Sequence, residues 1–139
     1  MGTVNVKSAS QVAQEKYEST LSGAIRAIDQ AADDARKKLI TAITAQPETY
    51  REKWLEVLDY RETGTEGEYL TAEATRRGMT VEALVQEIEA TRAQWTTINA
   101  RIEAERVGGK GDVRAAADVA GIETARDDAV AAIWSKVPA

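Results

Sequence analysis

Two apolar stripes that step four and three residues at a time constrain this chain more than anything else in it. Leu21, Ile25, Ile28, Ala32, Ala35, Leu39 and Ala42 make the first; Leu84, Ile88, Thr91, Trp95, Ile98 and Ile102 make the second. That spacing keeps one face of an α-helix apolar over many turns and is the period of a coiled-coil seam. A β-strand cannot use it, because its side chains alternate every two residues. The stripes predict two long helices, over 11–44 and 81–106. The first would run about 50 Å at 1.5 Å per residue.

Alanine supplies 25 of the 139 residues, against 35 large apolar ones (Val, Ile, Leu, Met, Trp and Tyr). A core made from that mixture is thin and depends on helices approaching closely through small side chains. With two prolines and no long alternating runs, an all-β fold is excluded. The expected fold is all-α: a long helical hairpin or bundle with coiled-coil-like heptad seams and short C-terminal helices.

Punctuation residues divide the chain further. Residues 1–10 carry Val4 and Val6 as the only apolar anchors and read as an N-terminal arm, with Ser8 or Ser10 capping the helix that follows. Pro47 ends the first helix and starts the next, over 48–60, which places Tyr50, Trp54, Val57 and Leu58 on one side of a helical hairpin. Residues 61–68 are polar, acidic and glycine-containing, hence a loop. A short helix over 69–77 is stopped by Gly78, and Thr80 caps the second long helix with Glu82 near its positive end. Gly108-Gly109-Lys110-Gly111 predicts a break after residue 106. Asp112 would then cap an alanine-rich helix to Val119, and after Gly121 a last helix would run over 122–134. The three expected segments are an arm at 1–10, a hairpin or bundle core at 11–106, and a C-terminal segment at 107–139.

Composition narrows the chemistry. There is no cysteine and no histidine, which removes thiolate chemistry, disulfides, the commonest general base and the commonest zinc ligand. The formal charge of −5 argues against a nucleic-acid partner held by a broad basic surface. No apolar run approaches a membrane span, and the N-terminus lacks a signal-peptide core. The carboxylates Asp59, Glu62, Glu66 and Glu68 do not match the spacing of an EF-hand loop. The glycine–lysine run lacks the preceding strand and following hydroxyl of a phosphate-binding loop. Asp33-Asp34 and Asp127-Asp128 are adjacent on helices and point about 100° apart, so neither pair converges on a substrate. Arg76-Arg77 fits a favourable charge at a helix end. No catalytic, cofactor or metal site is expected. The residues expected at interfaces are the seam side chains Leu21, Ile25, Ile28, Leu39, Leu84, Ile88, Trp95, Ile98 and Ile102. Trp134 has two readings: its helix packs back on the bundle, or the indole anchors in a neighbouring subunit.

The order of features resembles a group of small helical proteins encoded among the tail and tail-fibre genes of tailed bacteriophages and prophages. The matching elements are Ala27-Ile28, Ala31-Ala32-Asp33-Asp34-Ala35-Arg36 and Ile40-Thr41 with Tyr50 and Lys53; then Tyr69-Leu70, Ala72-Glu73-Ala74 and Arg77-Gly78-Met79-Thr80-Val81; then Trp95 through Ile102-Glu103 to Ile133-Trp134. The resemblance implies a non-enzymatic virion protein, made in the host bacterial cytoplasm and acting as an adaptor at the baseplate or tail-fibre attachment. Its partners would be other tail proteins and further copies of itself along the seams, with a trimer suggested by fibre symmetry. The alternatives are a tail-fibre assembly chaperone absent from the mature virion and, in a third class, an enzyme with a metal–carboxylate site in the acidic loop.

Overall fold

The computed structural model describes residues 6–44 and 46–139, the side chains of 43 and 44 excepted, and the described residues are 86% helical with no strand. Among the described residues five helices follow in order: α1 (Ala9–Thr44), α2 (Pro47–Thr63), α3 (Glu68–Arg77), α4 (Val81–Ala115) and α5 (Val119–Ser135). The protein is all-α, as the stripes require. Residues 1–5, including Val4 of the expected arm, lie outside the described residues. Val6 is exposed. Ser8 rather than Ser10 caps α1: its Oγ accepts from the Gln11 N–H at 3.2 Å, while Gln11 Oε1 accepts from the Ser8 N–H at 2.8 Å. This reciprocal pair satisfies two first-turn donors at once and starts the helix two residues earlier than expected.

The chain is organised as two compact units, residues 6–35 with Arg101–Ala139, and Arg36–Ala100. Residues 107–139, the expected C-terminal segment, group with residues 6–35 in the first unit, and the second unit lies within the expected core at 11–106.

In the first unit Ala24, Ile28, Ala31, Ala32 and Ala35 of α1 are buried, as are Ile102 and Val113 of α4 and Ile122, Ala129 and Ile133 of α5. The expected break at the glycine run is absent, because α4 continues unbroken to Ala115. The reason lies at Gly109, where an added Cβ would sit 2.5 Å from the Ala129 Cβ and 3.6 Å from Ile28 Cδ1. A glycine in mid-helix costs about 1 kcal/mol relative to alanine, and here it permits close approach of α5. Lys110 of the same run donates to Asp29 Oδ1 at 3.0 Å, beside Arg106 at 2.9 Å. Asp112 therefore lies inside α4 and caps nothing. Asp118 caps α5 instead, its carboxylate accepting from the Gly121 N–H at 2.7 Å, which keeps Gly121 inside the helix. The Tyr17 hydroxyl donates to the Ala116 carbonyl at 2.8 Å, just past the end of α4.

The second unit is built on Val57 of α2, Leu70 and Ala74 of α3, and Val81, Leu84, Val85 and Ile88 of α4, with Tyr50, Trp54, Tyr60 and Met79 packed against them. Helix α2 runs to Thr63, past the expected loop start at residue 61, and Gly64 closes it at φ 77°. The extra turn carries Arg61 to Glu82 at 3.0 Å and Glu89 at 2.6 Å on α4. Gly78 ends α3 as expected: its N–H bonds to the Thr75 carbonyl and the next one, of Met79, to Ala74. Thr80 then caps α4, accepting from the Ala83 N–H at 3.1 Å.

The start of α3 is capped from another helix. Gly67 has no side chain to offer, so the Glu56 carboxylate of α2 accepts from the N–H groups of Tyr69 at 3.2 Å and Leu70 at 3.1 Å. A Cβ on residue 67 would overlap that carboxylate. Replacing Glu56 with alanine is expected to lower stability by about 1 kcal/mol, the usual worth of a helix cap. Urea unfolding of the two proteins measures it, and an unchanged midpoint would show that water serves these donors equally well.

Both seams are used within one chain. Ile28, Leu39, Leu84, Ile88 and Ile102 are buried, while Leu21, Ile25, Trp95 and Ile98 are half-buried. A side chain already covered by its own chain has no apolar area left for a second copy. Five of the nine seam positions are thus packed inside the chain, and four keep part of their surface.

Candidate binding cleft

The helical spacing of α2 puts Pro47, Tyr50, Arg51 and Trp54 on adjoining faces over two turns. Together with Ile40 of α1 and Arg92 and Trp95 of α4 they line a cleft of about 160 Å³ in the second unit. Arg92 is its organising residue. Its guanidinium carbon stands 4.5 Å from the Trp54 ring centroid and 5.8 Å from that of Trp95. Stacking of this kind holds a guanidinium in place while leaving its N–H edge available. Tyr50 donates to the Ile88 carbonyl at 3.3 Å; burial raises its pKa, an effect the charge of Arg92 opposes. The Trp95 Nε1–H is buried and has no hydrogen-bond partner among the described residues.

Arg51 and Arg92 make no ion pair among the described residues, whereas Lys53, Arg61 and Arg77 of this unit do. Lys53 of α2 meets Glu73 of α3 at 2.8 Å, and Arg77 of α3 meets Glu73 at 3.0 Å and Glu87 of α4 at 2.6 Å. Arg77 thus does more than face a helix end, the role its sequence position suggested: it ties α3 to α4. Single exposed pairs contribute less than about 1 kcal/mol, so the effect of this web is to fix register more than to stabilise.

Burial pushes the Glu73 carboxyl up, but hydrogen bonds and charge from Lys53 and Arg77 more than reverse this and hold it below the usual carboxylate range. Its pKa is thus lower in the folded than in the unfolded chain, so its stabilisation is complete above about pH 4.3 and is lost as pH falls through the folded value. Asp29 behaves alike: desolvation raises it, and Arg106 and Lys110 bring it below the ordinary value. The thermal midpoint is expected to drop on acidification from about pH 6 to pH 3, and Glu73→Gln to flatten that drop. Circular-dichroism melts across this range check it; parallel curves for the two proteins would contradict the assigned role of Glu73.

The remaining residues singled out by sequence fall elsewhere. Asp59 accepts from Thr63 within α2 at 3.3 Å. No three acidic side chains among the described residues are grouped to hold a metal ion. Trp134 lies in the last turn of α5, 37% exposed. The structure brings together Trp54, which the spacing puts on one side of the hairpin, and Trp95 of the second stripe, and adds Arg51 and Arg92, which the sequence does not single out. An arginine on a long polar helix looks like a solvated charge. The one available signal was that Arg92 stands three residues before Trp95 and so on the same side of α4.

No protein-family model, no curated protein and no solved structure matches this chain. Fold and cleft define the class: an all-α helical protein with a small aromatic cleft built around a stacked guanidinium.

Proposed function

We propose that the chain is a non-enzymatic structural protein of a bacteriophage tail, acting as an adaptor at the baseplate or tail-fibre attachment. The observation that supports a docking role is apolar surface left outside the core: Leu55 (51% exposed) and Leu58 (49%) on α2 stand among exposed large apolar side chains that also include Val6, Val12, Tyr69, Val107 and Trp134. Leu55 and Leu58 are three residues apart and share one side of the helix. Apolar surface grouped in this way marks sites of protein contact more often than chance exposure does. The tail setting comes from the likeness of the sequence to small helical tail proteins. A tail-fibre assembly chaperone is the second reading, favoured by the cleft beside Arg51, which is open to a passing segment.

Quantitative mass spectrometry of gradient-purified particles beside the infected-cell lysate separates the two. An adaptor is present in particles at a fixed ratio to the tail hub. A protein abundant in the lysate and missing from particles is a chaperone, and the adaptor reading then fails.

A further inference from the structure

We propose that the cleft between α2 and α4 is the docking site for an acidic peptide segment of a partner protein, which seats one apolar side chain in the cavity and a flanking carboxylate on Arg92 and Arg51. This rests on the reading of the chain as a protein-docking component, not on its tail setting.

Size comes first. At about 160 Å³ the cavity takes one side chain; small-molecule and cofactor pockets run to roughly 300–1,000 Å³. The walls come next. Trp54, Trp95, Tyr50 and Pro47 offer ring surface to an aliphatic or aromatic group. Charge then selects the sequence around that group. In a chain of net charge −5, Lys53, Arg61, Arg77, Arg106 and Lys110 are engaged by carboxylates; Arg51 and Arg92 have none among the described residues, as is also true of Lys37 and Arg76, but of these four only Arg51 and Arg92 line the apolar cleft. The guanidinium of Arg92 is held over Trp54, so little of its freedom remains to be lost when it binds a carboxylate through its N–H edge. Arg51, Leu55 and Leu58 are spaced four and three residues apart along one side of α2, which carries the apolar surface beyond the cleft for a segment longer than one residue.

A nucleotide fits less well. Arg92 already covers the Trp54 ring at 4.5 Å, taking a face on which a base would stack, and the acidic chain repels phosphate. The Trp95 Nε1–H is too deeply buried to be a contact for the occupant.

The test uses the full chain, ¹⁵N-labelled, so that Trp54, Trp95 and Trp134 each give one indole N–H signal. It is titrated with acetyl-Glu-Leu-Glu-Leu-Glu-amide and, separately, with the peptide carrying lysine in place of glutamate. The acidic peptide is expected to shift the Trp54 and Trp95 signals saturably while Trp134 stays still, with the lysine peptide at least about fivefold weaker. Arg92→Met should weaken binding roughly tenfold and Arg51→Met roughly threefold. Should Arg92→Met fail to fold, Arg51→Met, on an exposed residue, decides alone. No shift at about 5 mM peptide (a weak-binding limit near 3 kcal/mol), equal response to both peptides, movement of Trp134 alone, or tighter binding of adenosine monophosphate would each overturn the proposal. Absence of the protein from virions would remove the adaptor reading and leave this result untouched.

Discussion

Replacing Ile28 with aspartate is expected to abolish cooperative unfolding, whereas the same change at Ile98 leaves a folded protein with a lower midpoint. The two residues occupy equivalent places in the two stripes, and spacing alone would give them equal weight. Ile28 is fully buried, and its Cδ1 faces the point where Gly109 meets Ala129. A carboxylate there loses its hydration among apolar groups, and the shape of the isoleucine is lost as well. The combined penalty exceeds about 4 kcal/mol, much of the 5–15 kcal/mol that holds a small domain together. Ile98 is only half-buried, so its replacement can turn toward water at a cost of about 1–2 kcal/mol. Urea titrations followed by circular dichroism separate these cases. Equal losses would mean that Ile98 is as deeply enclosed as Ile28.

The second large effect concerns three neighbouring glycines. Alanine normally stabilises an exposed helix interior by about 0.5–1 kcal/mol relative to glycine. Gly108 and Gly111 meet nothing within 4 Å when a Cβ is added, so Gly108→Ala and Gly111→Ala should raise the midpoint. Gly109→Ala should lower it. The new methyl would stand 2.5 Å from the Ala129 Cβ, which forces α4 and α5 apart along a packed surface at a cost of about 1–3 kcal/mol. The sign reversal between adjacent positions is the distinctive result. Three increases would mean that α5 does not pack at Gly109, and three decreases would mean a flexible link rather than a helix.

These glycines also show where sequence was legible and where it was not. The apolar period announced both long helices, and Pro47, Gly78 and Thr80 marked boundaries that the structure keeps, because each acts through its own backbone or the next turn. Gly108 to Gly111 were read by the same local logic and misled. Their effect depends on Ala129, twenty residues away, and no window along the chain contains that distance. Glu56 is another such case: it caps a helix that starts twelve residues later, so nothing near it in sequence signals the role. The cleft was half visible. Trp54 and Trp95 stood out as aromatic residues, but stacking by Arg92 depends on how α2 and α4 are placed side by side. Ion pairs such as Arg61 with Glu89 were hidden for the same reason, and they explain why α2 outlasts its apolar stripe.

Thermal unfolding over roughly a hundredfold range of protein concentration, with sedimentation at each concentration, tests most directly whether one chain closes both seams by itself. The expected result is a constant midpoint and the mass of a single chain, 15.1 kDa. A midpoint that climbs with concentration, together with the mass of several copies, would show that the seams are completed between chains and would contradict the packing of Ile28, Leu84 and Ile102 within one.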